Sequence, residues 1–479
     1  MVIYPLFPLQ SQGLLNEEEM RNAATLDPVV IEDWHDVPGT VPTRQKALSI
    51  KVGEIWPGRD YRVPVRFIVP KEGKAKGMLV TGGNHLDNVE KTVELHGLDI
   101  ELLKGGVGLV KTIVQDLNSF GQGELEKESE EKFLATLDPH AKKQFWAWPA
   151  TISRAITAAY AENEFFAPGK VAVTGASKNG ASPSISLIAD KRITAQFACV
   201  SPIWSSPLRM CDKAAWEELK AYDQQYFERE KTLGHDMKPS YSFLGGYSGP
   251  NYNDKALAKG HSWDELKHFA QSMEKEVFVA SCWDELMERN VEILFQPGTH
   301  DFVMYDLIYG GSRYPQIPIY LKANTGHSYR KAHPAAEHDE QNEEAFLLQH
   351  FFLEKNPLLA PPSITTEVAG DSLKVTVTFA QNDKADSGRI FWIYDRGPDG
   401  SLAYINELIP NDNFRDMNQS GNSWVVDIQL EKGHTTIDIF SNHRKVVDIR
   451  GKAYITYISS PYTRIELRSE EGALDDVHD

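Results

Sequence analysis

Two stretches between residues 47 and 69, ALSIKVGEIW and YRVPVRFIVP, alternate apolar and polar positions, and the turn-like PGRD separates them. A period of two puts one side of each stretch in a core and the other in water, so this segment predicts an antiparallel hairpin. Beyond it the pattern changes to short, continuous apolar runs. GMLVT at 77–81, GLVKTIVQ at 108–115, KVAVT at 170–174, TAQFACV at 194–200, VEILFQ at 291–296 and IPIYLK at 317–322 read as buried strands. Residues 92–104, 145–163, the stretch after GASKNG through Ala189, and 340–354 read as helices. Buried strands alternating with helices predict a mostly parallel sheet covered on both faces. Residues 203–290 break this rhythm. They are rich in Trp, Tyr, Glu and Lys, with helical stretches at 214–231 and 263–289 and the loop YSFLGGYSGPNY between them. This segment is expected to be a helical cap inserted over the sheet. After the PLLAPP stretch at 357–362 the chain becomes strand-like throughout: LKVTVTF, GRIFWIYD, WVVDIQL, TTIDIFSN and YITYISS, with Gly or Asn turns between them. Short alternating strands at regular spacing predict a β-sandwich. The expected organisation is an N-terminal extension at 1–45 with one short helix near 16–25, an α/β domain at 46–355 and a β-sandwich at 363–470.

Composition narrows the classes of partner. At 479 residues the chain is long enough for two domains, and with 41% apolar and 25% charged residues it can bury a large core. Its ten Trp suit a thick core, or an aromatic-lined pocket. The formal net charge of -18 disfavours nucleic acid and anionic membrane faces as partners. No apolar run is long enough to predict a transmembrane helix. The opening MVIYPLFPLQ lacks a basic region and is interrupted by Pro5 and Pro8, so it does not read as a signal peptide, and a cytoplasmic location is expected. The three cysteines, Cys199, Cys211 and Cys282, form neither a disulfide framework nor a metal-ligand spacing and are expected to be buried free thiols. No metal or organic cofactor is expected.

The chemistry is carried by Gly175-Ala176-Ser177-Lys178-Asn179-Gly180, placed between a strand and a helix. A serine hydroxyl is a weak nucleophile at neutral pH. It needs a base within hydrogen-bond reach and a fixed point from which to project, and a tight strand-to-helix turn supplies that point. The usual elbow is G-x-S-x-G. Here Asn179 stands where the second glycine falls, and G-x-S alone is an ordinary turn. The later residues raise it above that. VEILFQ runs into PGTHD and puts Asp301 past one strand end, and IPIYLK runs into ANTGHS and puts His327 past the next. Carboxyl ends of strands are where open α/β sheets gather active groups, and Ser, Asp, His is the chain order of this kind of site. Ser177 is therefore the candidate nucleophile, His327 the base and Asp301 the acid that orients it. His300 competes for the base role; Asp306 and Glu217 are reserve acids. The backbone N–H of Lys178 is one candidate oxyanion donor, and that of Gly83 or Asn84, in the GGNH loop after GMLVT, is the second. The Lys178 side chain, Gln115 with Asp116 and Asn118, and Trp204 are candidates to line the substrate site, although a solvated lysine accounts for Lys178 equally well and ordinary loop or core packing is the plainer account of the other four.

MLVTGGNH, VKTIVQDLN, FWAWPATISRAITAA, VAVTGASKNGA, ILFQPGTHDF and LKANTGHS together resemble the PhoPQ-activated pathogenicity-related protein family, a branch of the α/β-hydrolases. GRIFWIYD and NDNFRD resemble the C-terminal β-domain of that family. The resemblance spans most of 46–467 and is loose over 205–290. The family commonly has Arg and an aromatic around the last Gly of the elbow, where this chain has Asn179 and Ala181. The resemblance implies an α/β-hydrolase fold with a catalytic triad and an oxyanion hole. A basic residue directly after the serine is also similar to glucuronoyl esterases. The expected activity is hydrolysis of a carboxylic ester or lactone through an acyl-serine. A serine peptidase and a non-catalytic binding protein on the same fold are the alternatives. The expected partner is a small-molecule ester or peptide; a homo-oligomer stays open, and the β-domain reads most plainly as a brace for the α/β domain.

Overall fold

The computed structural model describes residues 13–114, 123–235, 253–327 and 331–467. By contact density the chain forms two compact units. The first is built on strands β1 (Val29–Val37), β2 (Thr43–Trp56), β3 (Arg59–Pro70), β4 (Ala75–Thr81), β5 (Gly108–Thr112) and β6 (Phe166–Gly175), in the order β1-β2-β3-β5-β4-β6. β2 and β3 are the predicted hairpin, antiparallel from Thr43↔Pro70 to Trp56↔Arg59. β5, β4 and β6 run parallel. The side chains of β4 and β5 are buried almost throughout, as are residues 171–174 of β6, which is why these stretches read as continuous apolar runs. The helix Ala147–Ala161 is buried from Ala147 to Ala159.

The lead-in is more ordered than expected. After a helix at Glu17–Arg21 it adds β1, an edge strand whose residues are exposed or half-buried. Its side chains, VVIEDWHDV, do not alternate cleanly, and the pairing with β2 is interrupted by two register shifts. Long-range contacts hold it instead: Glu32 takes a 2.7 Å bond from the buried Arg66, and Trp34 stacks on Phe165 at 3.9 Å. Arg154 likewise ties the N-terminal turns down by donating to the carbonyls of Glu19 and Asn22.

The second unit contains the parallel strands β7 (Ala195–Ala198) and β8 (Glu292–Phe295). Between them in the chain lie helices at Lys213–Thr232, Asn253–Ala258, Trp263–Val277 and Trp283–Glu288, the expected helical insertion. The long helix predicted at 263–289 is broken at Phe278, whose extended backbone caps its first part. IPIYLK forms only two isolated parallel bridges, Phe295↔Ile319 and Gly298↔Lys322, rather than a full strand. The helix Asn342–Phe352 follows.

The same unit holds two antiparallel sheets. One is β9 (Ser363–Ala369), β10 (Ser372–Thr378), β13 (Asn418–Ser420) and β14 (Ser423–Gln429), in the order β13-β14-β10-β9. The other is β11 (Ser387–Tyr394), β12 (Phe414–Asp416), β15 (Thr436–Ile449) and β16 (Lys452–Ser459), with β17 (Thr463–Glu466) pairing with β15. His443 of β15 packs edge-on against Phe379 and beside Trp424, so the sheets face each other across a core. The architecture is a mixed α/β fold with a helical insertion and a separate antiparallel β region. Among the described residues, no helix is long and apolar enough to cross a membrane.

Candidate active site

Ser177 stands on the turn between β6 and the helix Lys178–Ala189, with φ 58°. A side chain in the left-handed region is costly, and the local sequence sustains it by letting backbones approach closely. A Cβ built on Gly175 would lie 2.2 Å from the Asn179 carbonyl oxygen, and one on Gly180 would lie 2.1 Å from that of Val200. Both positions therefore exclude any side chain. The second small residue of this elbow falls at 180 because that is where the helix meets the end of β7. The turn closes with Asn179 N–H to Ala176 O at 3.0 Å and Gly180 N–H to Ser177 O at 2.8 Å.

Asp301 lies on the loop after β8, and His327 on the loop after the bridged segment at 319–322. These loops touch at Gly298, where a Cβ would sit 2.2 Å from the Thr325 carbonyl oxygen. His300 N–H donates to that same oxygen at 2.9 Å. The result is that His327 Nε2 lies 2.7 Å from Ser177 Oγ, and its Nδ1 lies 3.1 Å from both carboxylate oxygens of Asp301. Asp301 Oδ1 also accepts the Val303 N–H at 2.8 Å, so the carboxylate is fully buried but not unpaired. The imidazole is 19% exposed and packs against Phe302 with ring centroids 4.6 Å apart. The ring is thus oriented from one side and reachable from the other. Lys178 is the first residue of a 12-residue helix, and its side chain is half-buried.

The rival residues are committed elsewhere. His300 bonds through Nε2 to the Glu407 carbonyl at 2.6 Å and through Nδ1 to Thr299 Oγ1 at 2.9 Å. Asp306 pairs with the fully buried Arg209, which donates from Nη2 at 2.9 Å and lies over the Tyr305 ring. Glu217 is a surface residue near Lys213. Neither acid is directed at an imidazole. The cysteines are free thiols, as expected, Cys199 half-buried and the other two buried. Burial pushes Cys199 and Cys211 up to about 12, so neither offers a thiolate.

The remaining candidates are distributed as follows. Trp204 is buried, with its indole against Gly310. Gly83 bridges to Ile113 beyond β4, and the Asn84 amide donates to Thr81 O and Thr112 O at 2.9 and 2.8 Å, bracing the ends of β4 and β5. Gln115, Asp116 and Asn118 lie outside the described residues. Among the described residues, no group of three His, Cys, Asp or Glu side chains is placed to hold a metal ion.

Several neighbours of the triplet carry no signal in the sequence. Asn324 has φ 62° and its amide makes two reciprocal bonds with the Ile409 backbone, Nδ2 to O and N–H to Oδ1, both 2.9 Å. Arg396 donates to Thr299 O at 2.7 Å. The partner that distinguishes the Asn of ANTGHS is 85 residues away.

No family model matches the chain, and no curated protein matches it. Solved structures similar to it include acetyl xylan esterase 1 from a Thermoanaerobacterium species, 13% identical over 70% of this chain and 90% of that one with a TM-score of 0.36. A glucuronoyl esterase from Teredinibacter turnerae is 14% identical over 36% of this chain and 45% of that one, TM-score 0.26. The glucuronoyl esterase from Solibacter usitatus is 16% identical over 40% and 57%, TM-score 0.27. The chain thus spans less than two thirds of the length of either glucuronoyl esterase.

Proposed function

We propose that the chain is a serine hydrolase that cleaves carboxylic esters or lactones, within the PhoPQ-activated pathogenicity-related branch of the α/β-hydrolases that its motifs resemble. The observation that carries this reading is the hydrogen-bonded series Ser177 Oγ to His327 Nε2 at 2.7 Å and His327 Nδ1 to Asp301 at 3.1 Å. In this reading His327 Nδ1–H donates to Asp301, which leaves Nε2 free to accept the Ser177 proton. The alkoxide attacks the ester carbonyl carbon as that proton passes to Nε2. The tetrahedral oxyanion accepts a hydrogen bond from the Lys178 N–H at the helix N-terminus. Collapse returns the proton from the imidazolium to the departing alcohol and leaves an acyl-serine. Water, deprotonated by the same imidazole, then releases the acid and restores Ser177. Asp301 holds the Nδ1–H throughout and stabilises the imidazolium. Ester hydrolysis is favoured over amide hydrolysis because an alcohol leaves with less demand for protonation than an amine.

The test is labelling by a fluorophosphonate together with turnover of an ester, lactone and peptide panel. Label is expected on Ser177 alone. Ser177→Ala and His327→Ala are each expected to lower turnover at least about 1,000-fold while the circular dichroism spectrum is unchanged. Retained turnover in a folded Ser177→Ala chain sinks the proposal. Turnover of peptides but not esters would replace the ester reading with the amide one.

A further inference from the structure

The loops that carry Asp301 and His327 are fastened to each other and to one segment of the β region, residues 396–410. Asn324 N–H donates to Thr299 Oγ1 at 2.9 Å. His300 Nε2 faces a carbonyl oxygen, that of Glu407, so Nε2 carries the proton and Nδ1 accepts one from Thr299 Oγ1. The hydroxyl thus receives a hydrogen bond from the base loop and gives one to the residue directly before Asp301. Both ends of this strut are anchored in the same place. Asn324 is held by Ile409 through two reciprocal bonds, His300 by Glu407, and Thr299 O by Arg396. Thr299, His300, Asn324, Arg396 and Ile409 are all buried, so water does not replace a lost partner. His327 follows Asn324 by three residues, and Asp301 follows Thr299 by two.

We propose that Thr299 and Asn324 are positioning residues, which fix the separation of the acid and base loops from the 396–410 side and so set the Asp301–His327–Ser177 alignment. The inference rests on the serine-hydrolase reading above. It explains why a β region is joined to this hydrolase fold: one of its connecting segments is the abutment for the site. A displacement of about 1 Å in such a site costs about 100-fold in rate, which is the scale of effect the strut controls.

The experiment compares Thr299→Val, which keeps the shape and removes the hydroxyl, with Thr299→Ser, which restores it. Asn324→Gly tests the other end, since glycine adopts the same positive φ without the amide. Each variant is assayed with p-nitrophenyl acetate, with competent sites counted by fluorophosphonate titration so that unfolded chains do not contribute. Thr299→Val and Asn324→Gly are expected to lower kcat per titrated site by about 10- to 100-fold with KM within about twofold, and Thr299→Ser to recover most of it. If Thr299→Val does not fold, Asn324→Gly decides. Values of kcat within twofold of wild type in the folded variants, or a change confined to KM, overturn the strut while an inactive Ser177→Ala leaves the triad reading intact. Turnover in Ser177→Ala overturns both.

Discussion

Ser177 holds φ 58° in the strand-to-helix turn, and the close approaches at Gly175 and Gly180 keep it there. A non-glycine residue in this region carries a steric penalty of about 1–2 kcal/mol, which the rest of the fold has to offset. The strain has a structural consequence that is separable from chemistry. Ser177→Ala and Ser177→Gly both remove the hydroxyl and its bond to His327, but only glycine relaxes the backbone. Ser177→Gly is expected to be about 1 kcal/mol more stable than Ser177→Ala, against the usual order for a residue at the start of a helix. Denaturant midpoints of the two variants check this, and an Ala variant as stable as the Gly one would show that the turn is not strained.

Among the elements, β15 contains the clearest pH-sensitive group. His443 is enclosed by Phe379 and Trp424, and burial pushes its imidazole down to about 3. The folded protein therefore holds a neutral ring at pH values where the unfolded chain takes up a proton. The stability this group contributes is fully present above its ordinary value of 6.5 and is lost as pH falls towards about 3, at up to about 1.4 kcal/mol per pH unit. His443→Gln has no proton to take up. Its denaturation free energy is expected to fall less steeply between about pH 6 and pH 4 than that of wild type, by about that slope. Parallel pH profiles for the two proteins would contradict a neutral buried imidazole. The element scale also shows what the sequence makes legible. Runs buried on both faces, such as β4, residues 171–174 of β6 and residues 390–393 of β11, and the alternating strands β10 and β14 are written directly in their side chains, because burial there is local in cause. β1 is not, because an exposed edge strand gains its stability from Arg66 and Phe165 rather than from its own pattern. IPIYLK has the composition of a strand but only two bridges, since its remaining backbone bonds go elsewhere, as with Leu321 N–H to Ser459 Oγ at 2.7 Å. The triplet itself was legible because each member follows a recognisable apolar run. Thr299 and Asn324 were not, because what distinguishes them is a partner near residue 400.

At the scale of the whole molecule, the unit that holds Ser177, Asp301 and His327 is also the unit that holds both antiparallel sheets. The segment between β11 and β12 explains this in physical terms. Asp399 accepts the Ile308 and Tyr309 N–H groups at 3.1 and 2.8 Å, and Leu402 N–H donates to Asp223 on the helix Lys213–Thr232 at 2.7 Å. Tyr226 of that helix packs on Leu402 and Ala403. With the bonds to Thr299, His300 and Asn324, removal of the β region strands buried donors and acceptors at several points around the site. Each unsatisfied buried group costs about 1–3 kcal/mol, and together they rival a folding margin of about 5–15 kcal/mol. A chain ending at Pro361, despite its convenient PLLAPP boundary, is therefore expected to lose cooperative unfolding and fluorophosphonate labelling together. The full chain is expected to lose labelling and the near-ultraviolet signal of the β region in one transition as denaturant rises. A chain ending at Pro361 that labels at the wild-type rate would show that the α/β part holds its loops unaided, and the 396–410 segment would then be a contact without consequence for the site.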